Sequence, residues 1–188
     1  MANLFYLIGA SGSGKDSLLA YARKHIAEDQ PVIFAHRYIT RPADSGGENH
    51  IALDDREFRL RKKLECFSMH WYSHDTYYGI GQEVHHWLQK GSNVVVNGSR
   101  AYLDEAANQF PQLVPILVTV EQDKLAQRLI ARGRESQSEI KRRLQQAREL
   151  ESTVYHPCLI RLDNNGQLTE AGEILIKILA NTKQTQCA

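Results

Sequence analysis

The stretch Gly9-Ala10-Ser11-Gly12-Ser13-Gly14-Lys15-Asp16 constrains this chain more than any other. It follows the apolar run Leu4 to Ile8 and opens a segment in which Leu18, Leu19 and Ala22 recur at helical spacing, so a buried strand hands over to a helix there. Strand, glycine-rich loop, lysine and helix form the context of a phosphate-binding loop. The glycines let successive backbone N–H groups point inward, the helix presents its positive end, and Lys15 brings an ammonium to the terminal phosphates of a nucleoside triphosphate. Gly9, Ala10, Ser11, Gly12, Ser13, Gly14, Lys15, Asp16 and Ser17 are the expected triphosphate-binding residues. A turn that merely joins strand to helix is the plainer reading, and the flanking elements weaken it.

One residue departs from the pattern. The place after the lysine usually holds a serine or threonine hydroxyl that ligates magnesium, and here it is Asp16, with a hydroxyl only at Ser17. A carboxylate is also a hard oxygen ligand, so Asp16 is a candidate for holding the metal, directly or through its water. The alternative is a first-turn acidic residue favoured by the helix dipole.

At 188 residues the chain fits one domain, expected over 1–188, with a mobile part. The formal net charge of +1 and the dispersed Lys and Arg predict no nucleic-acid or membrane surface. The N-terminus lacks a basic segment followed by a long apolar stretch, and no run approaches the roughly twenty residues of a membrane span. Cys66, Cys158 and Cys187 lack metal-ligand spacing and suit reduced thiols packed in the core. These features point to a cytoplasmic protein and are silent on oligomeric state. A polar tail after Asn181 is expected to fray.

Apolar runs and breaks alternate along the chain. Val32 to Tyr38 reads as one strand, and Ile39 to His50 as a loop set by Pro42, Gly46 and Gly47. Asp54 with Glu57 forms a capping box for a helix carrying Phe58, Leu60 and Leu64. Phe67, Met69 and Trp71 alternate with polar partners as in a half-buried strand, Tyr77 to Gly81 reads as a turn or short strand, and a helix bearing Val84, Trp87 and Leu88 ends near Gly91. Val94 to Val96 suits a parallel strand buried on both faces, which puts Asn97, Gly98, Ser99 and Arg100 at its carboxyl end, where open α/β sheets gather ligands. A helix follows from Tyr102 to Phe110, then an apolar run, Leu113 to Val120, whose Pro115 predicts an irregular or peripheral start. A helix from about Gln122 stops at Gly133, Ser136 and Glu139 cap another to about Glu151, Leu159 to Leu162 is the last strand, and Thr169 opens a helix bearing Ile174, Leu175, Ile178 and Leu179. Strands alternating with crossover-length helices predict an α/β fold with a parallel central sheet between helical layers.

Phosphoryl transfer asks mainly for positive charge and positioning. Arg128, Arg132, Arg134, Arg142 and Arg143 lie on either side of Gly133, the layout of a hinged lid that closes over phosphates. A solvated helical hairpin, salt-bridged to Glu135, Glu139 and Glu149, is the competing reading. Arg37 and Arg41 flank a loop that could fold over a second anionic group, since guanidinium matches phosphate through a bidentate fork. Tyr77, Tyr78, His74 and His50 could add donors, and the histidine spacings do not predict a zinc site.

Thr40-Arg41-Pro42, Gly47-Glu48, Tyr77-Tyr78-Gly79, the run Arg128 to Glu135 and Lys141-Arg142-Arg143-Leu144 occur in the order found in guanylate kinases, and the chain resembles that family over nearly its whole length. The resemblance implies a three-layer nucleoside-monophosphate-kinase-like fold with a parallel central sheet, an acceptor-binding subdomain over roughly 38–90 and an arginine-bearing lid near 132–143. The departures imply a different acceptor. Asp44-Ser45 stands where guanylate kinases carry a second arginine, about Met69 where they read guanine with glutamate, Ile80 in place of a serine, and Asn97 where their central strand ends in acidic residues. Orphaned polar edges of a purine would cost roughly 1–3 kcal/mol each.

Gly-Lys-Asp in the loop, Gly-Gly-Glu-Asn-His at 46–50 and Val-Val-Asn-Gly-Ser-Arg at 95–100 are similar to the ribose 1,5-bisphosphate phosphokinases of the carbon–phosphorus lyase pathway. That likeness implies ATP and a sugar bisphosphate as the substrates, with Mg2+ as the cofactor. Lys15, Arg132 and Arg143, with Arg128 a weaker candidate, would serve the transferring phosphoryl group. Arg37, Arg41, Tyr78, Asn97, Ser99 and Arg100, and with less support His50 and His74, would hold the acceptor. The rival readings are a guanylate kinase with an altered pocket and a guanylate-kinase-like module that only binds a partner protein.

Overall fold

A computed structural model describes residues 2–45, 48–133 and 135–180. Gly46, Gly47, Arg134 and the tail from Asn181 lie outside the described residues. In chain order the strands are β1 (Leu4–Gly9), β2 (Val32–Phe34), β3 (Arg37–Ile39), β4 (Ile51–Ala52), β5 (Phe67–Ser73), β6 (Thr76–Gly81), β7 (Asn93–Asn97), β8 (Leu113–Thr119) and β9 (Ile160–Asp163). The helices are α1 (Lys15–His25), α2 (Asp55–Lys63), α3 (Glu83–Gln89), α4 (Leu103–Gln109), α5 (Gln122–Arg132), α6 (Gln137–Thr153) and α7 (Leu168–Leu179), with a 3-10 turn at Arg100–Tyr102.

The apolar run before the glycine-rich loop becomes the middle strand of a five-stranded sheet, ordered β2-β7-β1-β8-β9, with every neighbouring pair parallel. A strand buried on both faces still alternates its side chains. Leu4, Tyr6 and Ile8 pack with Val94, Val96, Val84, Leu103, Ala106 and Leu150 on one face. Phe5 and Leu7 pack with Val95, Ile116, Leu18, Ala22, Leu175 and Leu179 on the other. Helices α3, α4 and α6 therefore cover one side and α1 and α7 the other, the three layers expected. Tyr6, Phe5 and the leucines of β1 are at most 1% exposed, and each such side chain stabilises the fold by about 1.5–3 kcal/mol.

The stretch Val32 to Tyr38 is two strands rather than one. Its first part pairs with β7 in the parallel sheet, the Ala35 N–H makes the last such bond to the Val95 carbonyl (2.9 Å), and the chain then enters a four-stranded sheet ordered β4-β3-β6-β5. A continuous β-branched and aromatic run cannot reveal where a strand changes partners. In the second sheet β6 pairs antiparallel with both β3 and β5, and the β5–β6 hairpin turns on His74 and Asp75, both at positive φ (50° and 55°).

Helix signals map closely onto observed ends. The Asp54 side chain caps α2 at the Glu57 N–H, Gly133 ends α5 in the left-handed conformation, and Ser136 with Glu139 forms the capping box of α6. Several inward positions differ. Only Phe58 of α2 is buried, while Leu60, Leu64 and, on α7, Ile174 are 54%, 64% and 49% exposed. Pro115 lies in β8, which has neighbours on both sides, but pairing with β9 begins only at Ile116, so the proline occupies the one-sided start of the strand. Cys66 is exposed and free, not core, and Cys158 is buried but disulfide-bonded rather than a reduced thiol. Among the described residues no helix is long and apolar enough to cross a membrane.

Candidate active site

Residues Gly9 to Ser17 wrap the carboxyl end of β1 and the amino end of α1. Gly14 caps α1 at φ 91°, and a Cβ there would lie 2.5 Å from the Asn164 amide nitrogen, so both backbone and space demand glycine. Asn164, buried just beyond β9, donates to the Ser13 carbonyl at 2.7 Å and braces the loop from behind. The Lys15 ammonium donates to the loop carbonyls of Gly9 (2.7 Å) and Ala10 (3.1 Å). Burial lowers its pKa to about 8, with Asp16 pulling the other way. A phosphate entering the loop would exchange these two carbonyl acceptors for anionic oxygen.

A cleft of about 280 Å³ runs from this loop to the small sheet, lined by Lys15, Asp16, Ser17 and Arg132 at one end and Arg37, Tyr78, His74 and Arg100 toward the other. Asn97, Gly98 and Ser99 form its floor where β7 ends. The Tyr6 hydroxyl, pushed far up in pKa by burial, holds that floor by accepting from the Ser99 N–H (2.9 Å) and donating to the Ser99 carbonyl (3.1 Å). A Cβ at Gly98 would sit 2.3 Å from the Tyr6 ring, which leaves room for glycine alone.

On the acceptor side, the Arg37 guanidinium lies 4.8 Å over the Tyr78 ring, and Tyr78 stacks on Trp71 with centroids 5.5 Å apart and planes 7° apart. The Arg37 Nε donates to Glu48 Oε1 at 2.5 Å and its Nη2 to Oε2, while Arg41 Nη2 reaches the same carboxylate at 3.4 Å. Asn97 Nδ2 donates to Asp16 Oδ1 (2.9 Å) and Glu48 Oε1 (3.4 Å).

The arginines around Gly133 divide by what they touch. Arg132 lines the main cleft and the adjoining one formed by Gly12, Gly14, Arg128, Asn164 and Leu168. Arg143 reaches back from α6 to donate to Ser11 Oγ at 2.5 Å and pairs with Glu135 at 3.5 Å, so it stands over the phosphate loop. Arg128 donates to the Ser13 (3.4 Å) and Asn164 (2.8 Å) carbonyls, which places it behind the loop as a brace. Arg134 lies outside the described residues.

Of the residues expected to hold the acceptor, Arg37, Tyr78, Asn97, Ser99, Arg100 and His74 share the cleft. Arg41 and His50 do not. Arg41 turns to Glu48, and the buried His50 ring spans the Glu48 (3.0 Å) and Arg41 (3.2 Å) carbonyls, tying the 41–50 loop together. Trp71 and Ser73 line the cleft without having been singled out for it; Asn164 carries geometry that no short-range pattern announces, and Glu48, present in the Gly47-Glu48 and Gly-Gly-Glu-Asn-His motifs, had no role assigned there. Met69, at the place compared with the guanine-reading glutamate, is 0% exposed and packs with Ile80 and Val84 in the core.

No family model matches the chain. It is 50% identical over 182 residues to a ribose 1,5-bisphosphate phosphokinase PhnN from Desulfomicrobium baculatum, covering 97% of this chain and 96% of the relative. A protein of the same name from Thiobacillus denitrificans is 49% identical over 187 residues, covering 98% and 96%. The chain belongs to the ribose 1,5-bisphosphate phosphokinase family. The Psychromonas ingrahamii phosphokinase adds a third relative, 50% identical over 178 residues with 95% and 90% covered. Membership makes the chain a kinase rather than a module that only binds a partner. The fold of this phosphokinase family member is that of guanylate kinases: the Anaplasma phagocytophilum guanylate kinase superposes with a TM-score of 0.72 over 99% of this chain and 88% of its own, at 16% identity. At that identity the likeness is one of fold.

Proposed function

We propose that the protein transfers the γ-phosphoryl group of ATP to the 1-phosphate of ribose 1,5-bisphosphate, giving 5-phosphoribosyl 1-diphosphate and ADP. The observation that carries the reading is the cleft, which leads from Lys15 to Arg37, Arg100 and Tyr78 and in which Asp16 of the phosphate loop is the only acidic side chain among the described residues, so none on the acceptor side is placed to accept from a purine edge. An acceptor with phosphates at both ends and hydroxyls between suits such a lining; a nucleobase does not.

ATP phosphates lie in the loop on its N–H groups and Lys15, with Arg132 and Arg143 approaching the transferring group from α5 and α6. The acceptor oxygen is already an anion, so no side chain has to remove a proton, and catalysis rests on alignment and charge. Arg37, Arg100 and Tyr78 orient the sugar bisphosphate, with Asn97 and Ser99 beneath it. A magnesium ion fits the residues present: Asp16 and Ser17 offer hard oxygens in the cleft, and Asn97 Oδ1 is buried without a hydrogen-bond partner. Among the described residues no group of three acidic, histidine or cysteine side chains could hold a metal ion by itself. Bound there, the ion would neutralise phosphate charge. The reading places the protein in the cytoplasm and gives it neither nucleic acid nor membrane as a partner. Residues 38–90 form its acceptor subdomain and residues near 132–143 its lid, within one domain over 1–188.

ADP release with ribose 1,5-bisphosphate and with GMP, measured side by side at equal concentration, tests this. The sugar should turn over at least about a hundredfold faster, a gap of roughly 2.7 kcal/mol in transition-state binding. Faster GMP turnover would favour the altered guanylate kinase instead.

A further inference from the structure

Glu48 sits at a junction that the phosphoryl chemistry does not by itself require. Its carboxylate is 11% exposed and takes both Nε and Nη2 of Arg37, with Arg41 on the same oxygen at 3.4 Å. A guanidinium held by Nε and Nη2 has only Nη1 off the carboxylate, and the Tyr78 ring, backed by Trp71, closes one face. Edge and face together fix how Arg37 meets the cleft. Across the floor, Asn97 Nδ2 is shared between Glu48 and Asp16, so one amide bridges the acceptor side and the phosphate loop.

We propose that Glu48 is the positioning residue of the acceptor side: its carboxylate sets the guanidiniums of Arg37 and Arg41 and, through Asn97, ties them to Asp16 of the phosphate loop. The charge count supports it. One carboxylate against two guanidiniums leaves a net positive charge for a phosphate while preventing two unpaired arginines from repelling each other in a half-buried site. The amide at 97 is equally constrained, because a carboxylate there would face those of Asp16 and Glu48 at the 2.9 and 3.4 Å now spanned by hydrogen bonds.

This inference rests on the function proposed above, and steady-state kinetics on the full chain separates the two. Glu48→Gln keeps the shape and removes the charge. It should raise the KM for ribose 1,5-bisphosphate about tenfold and leave the KM for ATP within about twofold, a split that general loosening of the fold would not produce. Arg37→Lys, which cannot make the bidentate pair, should have a similar effect, and Arg37→Lys with Glu48→Gln should cost less than the product of the two single effects, the remainder acting through Arg41 and Asn97. An unmoved acceptor KM in Glu48→Gln, a parallel loss toward ATP, or additive effects in the double variant would overturn the positioning role. Wild-type protein without turnover of the sugar bisphosphate would defeat the proposed function, and this inference with it; working wild type with an unaffected Glu48→Gln would defeat the inference alone.

Discussion

Nucleotide affinity should fall as pH rises through 8, because Lys15 must be charged to meet a triphosphate and burial brings its pKa down to about 8 in the nucleotide-free chain. The sign is set by linkage. Below pH 8 the ammonium is already present; above it the free chain loses the proton, and binding has to take one up. With a pKa of about 8 the charged fraction falls from roughly ten-elevenths at pH 7 to one-eleventh at pH 9, an affinity loss of about tenfold, or ~1.4 kcal/mol. Calorimetry of magnesium-ADP binding at constant ionic strength, in two buffers of different ionisation heat, reads both quantities. At pH 8 about half a proton should be taken up per nucleotide. Lys15→Met should bind weakly at every pH and show neither effect. Equal wild-type affinity at pH 7 and 9, with no proton uptake at pH 8, would refute the placement of Lys15 on the phosphates.

Gly14→Ala forces a Cβ onto a left-handed residue 2.5 Å from Asn164 and should cost about 1–3 kcal/mol in thermal unfolding along with nucleotide affinity; an unchanged melt would contradict the crowding described. Arg143→Ala should lower kcat by about a hundredfold or more and also cost stability, since it leaves the Glu135 carboxylate, 7% exposed, without its guanidinium. Arg128→Ala should lose about 1.5–3 kcal/mol of stability with the two carbonyls it braces while leaving kcat nearly unchanged; equal effects of the two substitutions on kcat would remove the distinction drawn between them. Met69→Glu should not restore guanine recognition but should destabilise the chain by several kcal/mol in denaturant titration, because that side chain lies in the core.

What could be read from the residues alone was whatever local chemistry decides. The loop from Gly9 to Lys15, the stop at Gly133 and the cap at Ser136 with Glu139 depend on backbone freedom and on hydrogen bonds within one turn, and they stand where expected. The division of Val32 to Ile39 between two sheets depends on β7 and β6, far along the chain, and no property of those eight residues records it. The same holds at the site. Arg37, Tyr78, Asn97 and Arg100 were legible as cations and donors at strand ends, and they line one cleft. Glu48 stood in two quoted motifs, but its role and that of Asn164 were not legible, because a carboxylate in a glycine-rich loop and an asparagine in an apparent turn acquire their partners only when distant elements meet. His50 and Arg41 mislead in the opposite direction: their types suit phosphate binding, yet neighbouring loop carbonyls and Glu48 engage them first. Leu60 and Leu64 are four apart and share a face, but Leu60 is two residues from Phe58, so the helix that buries Phe58 turns both leucines outward.

Phosphorus NMR of the products formed from magnesium-ATP and ribose 1,5-bisphosphate tests the account most directly. The account predicts that the signal of the 1-phosphate is replaced by a coupled pair from a diphosphate on the anomeric carbon, growing in step with ADP, with the 5-phosphate signal retained. ADP accumulating without that coupled pair, or a diphosphate appearing only when GMP is the acceptor, would contradict it.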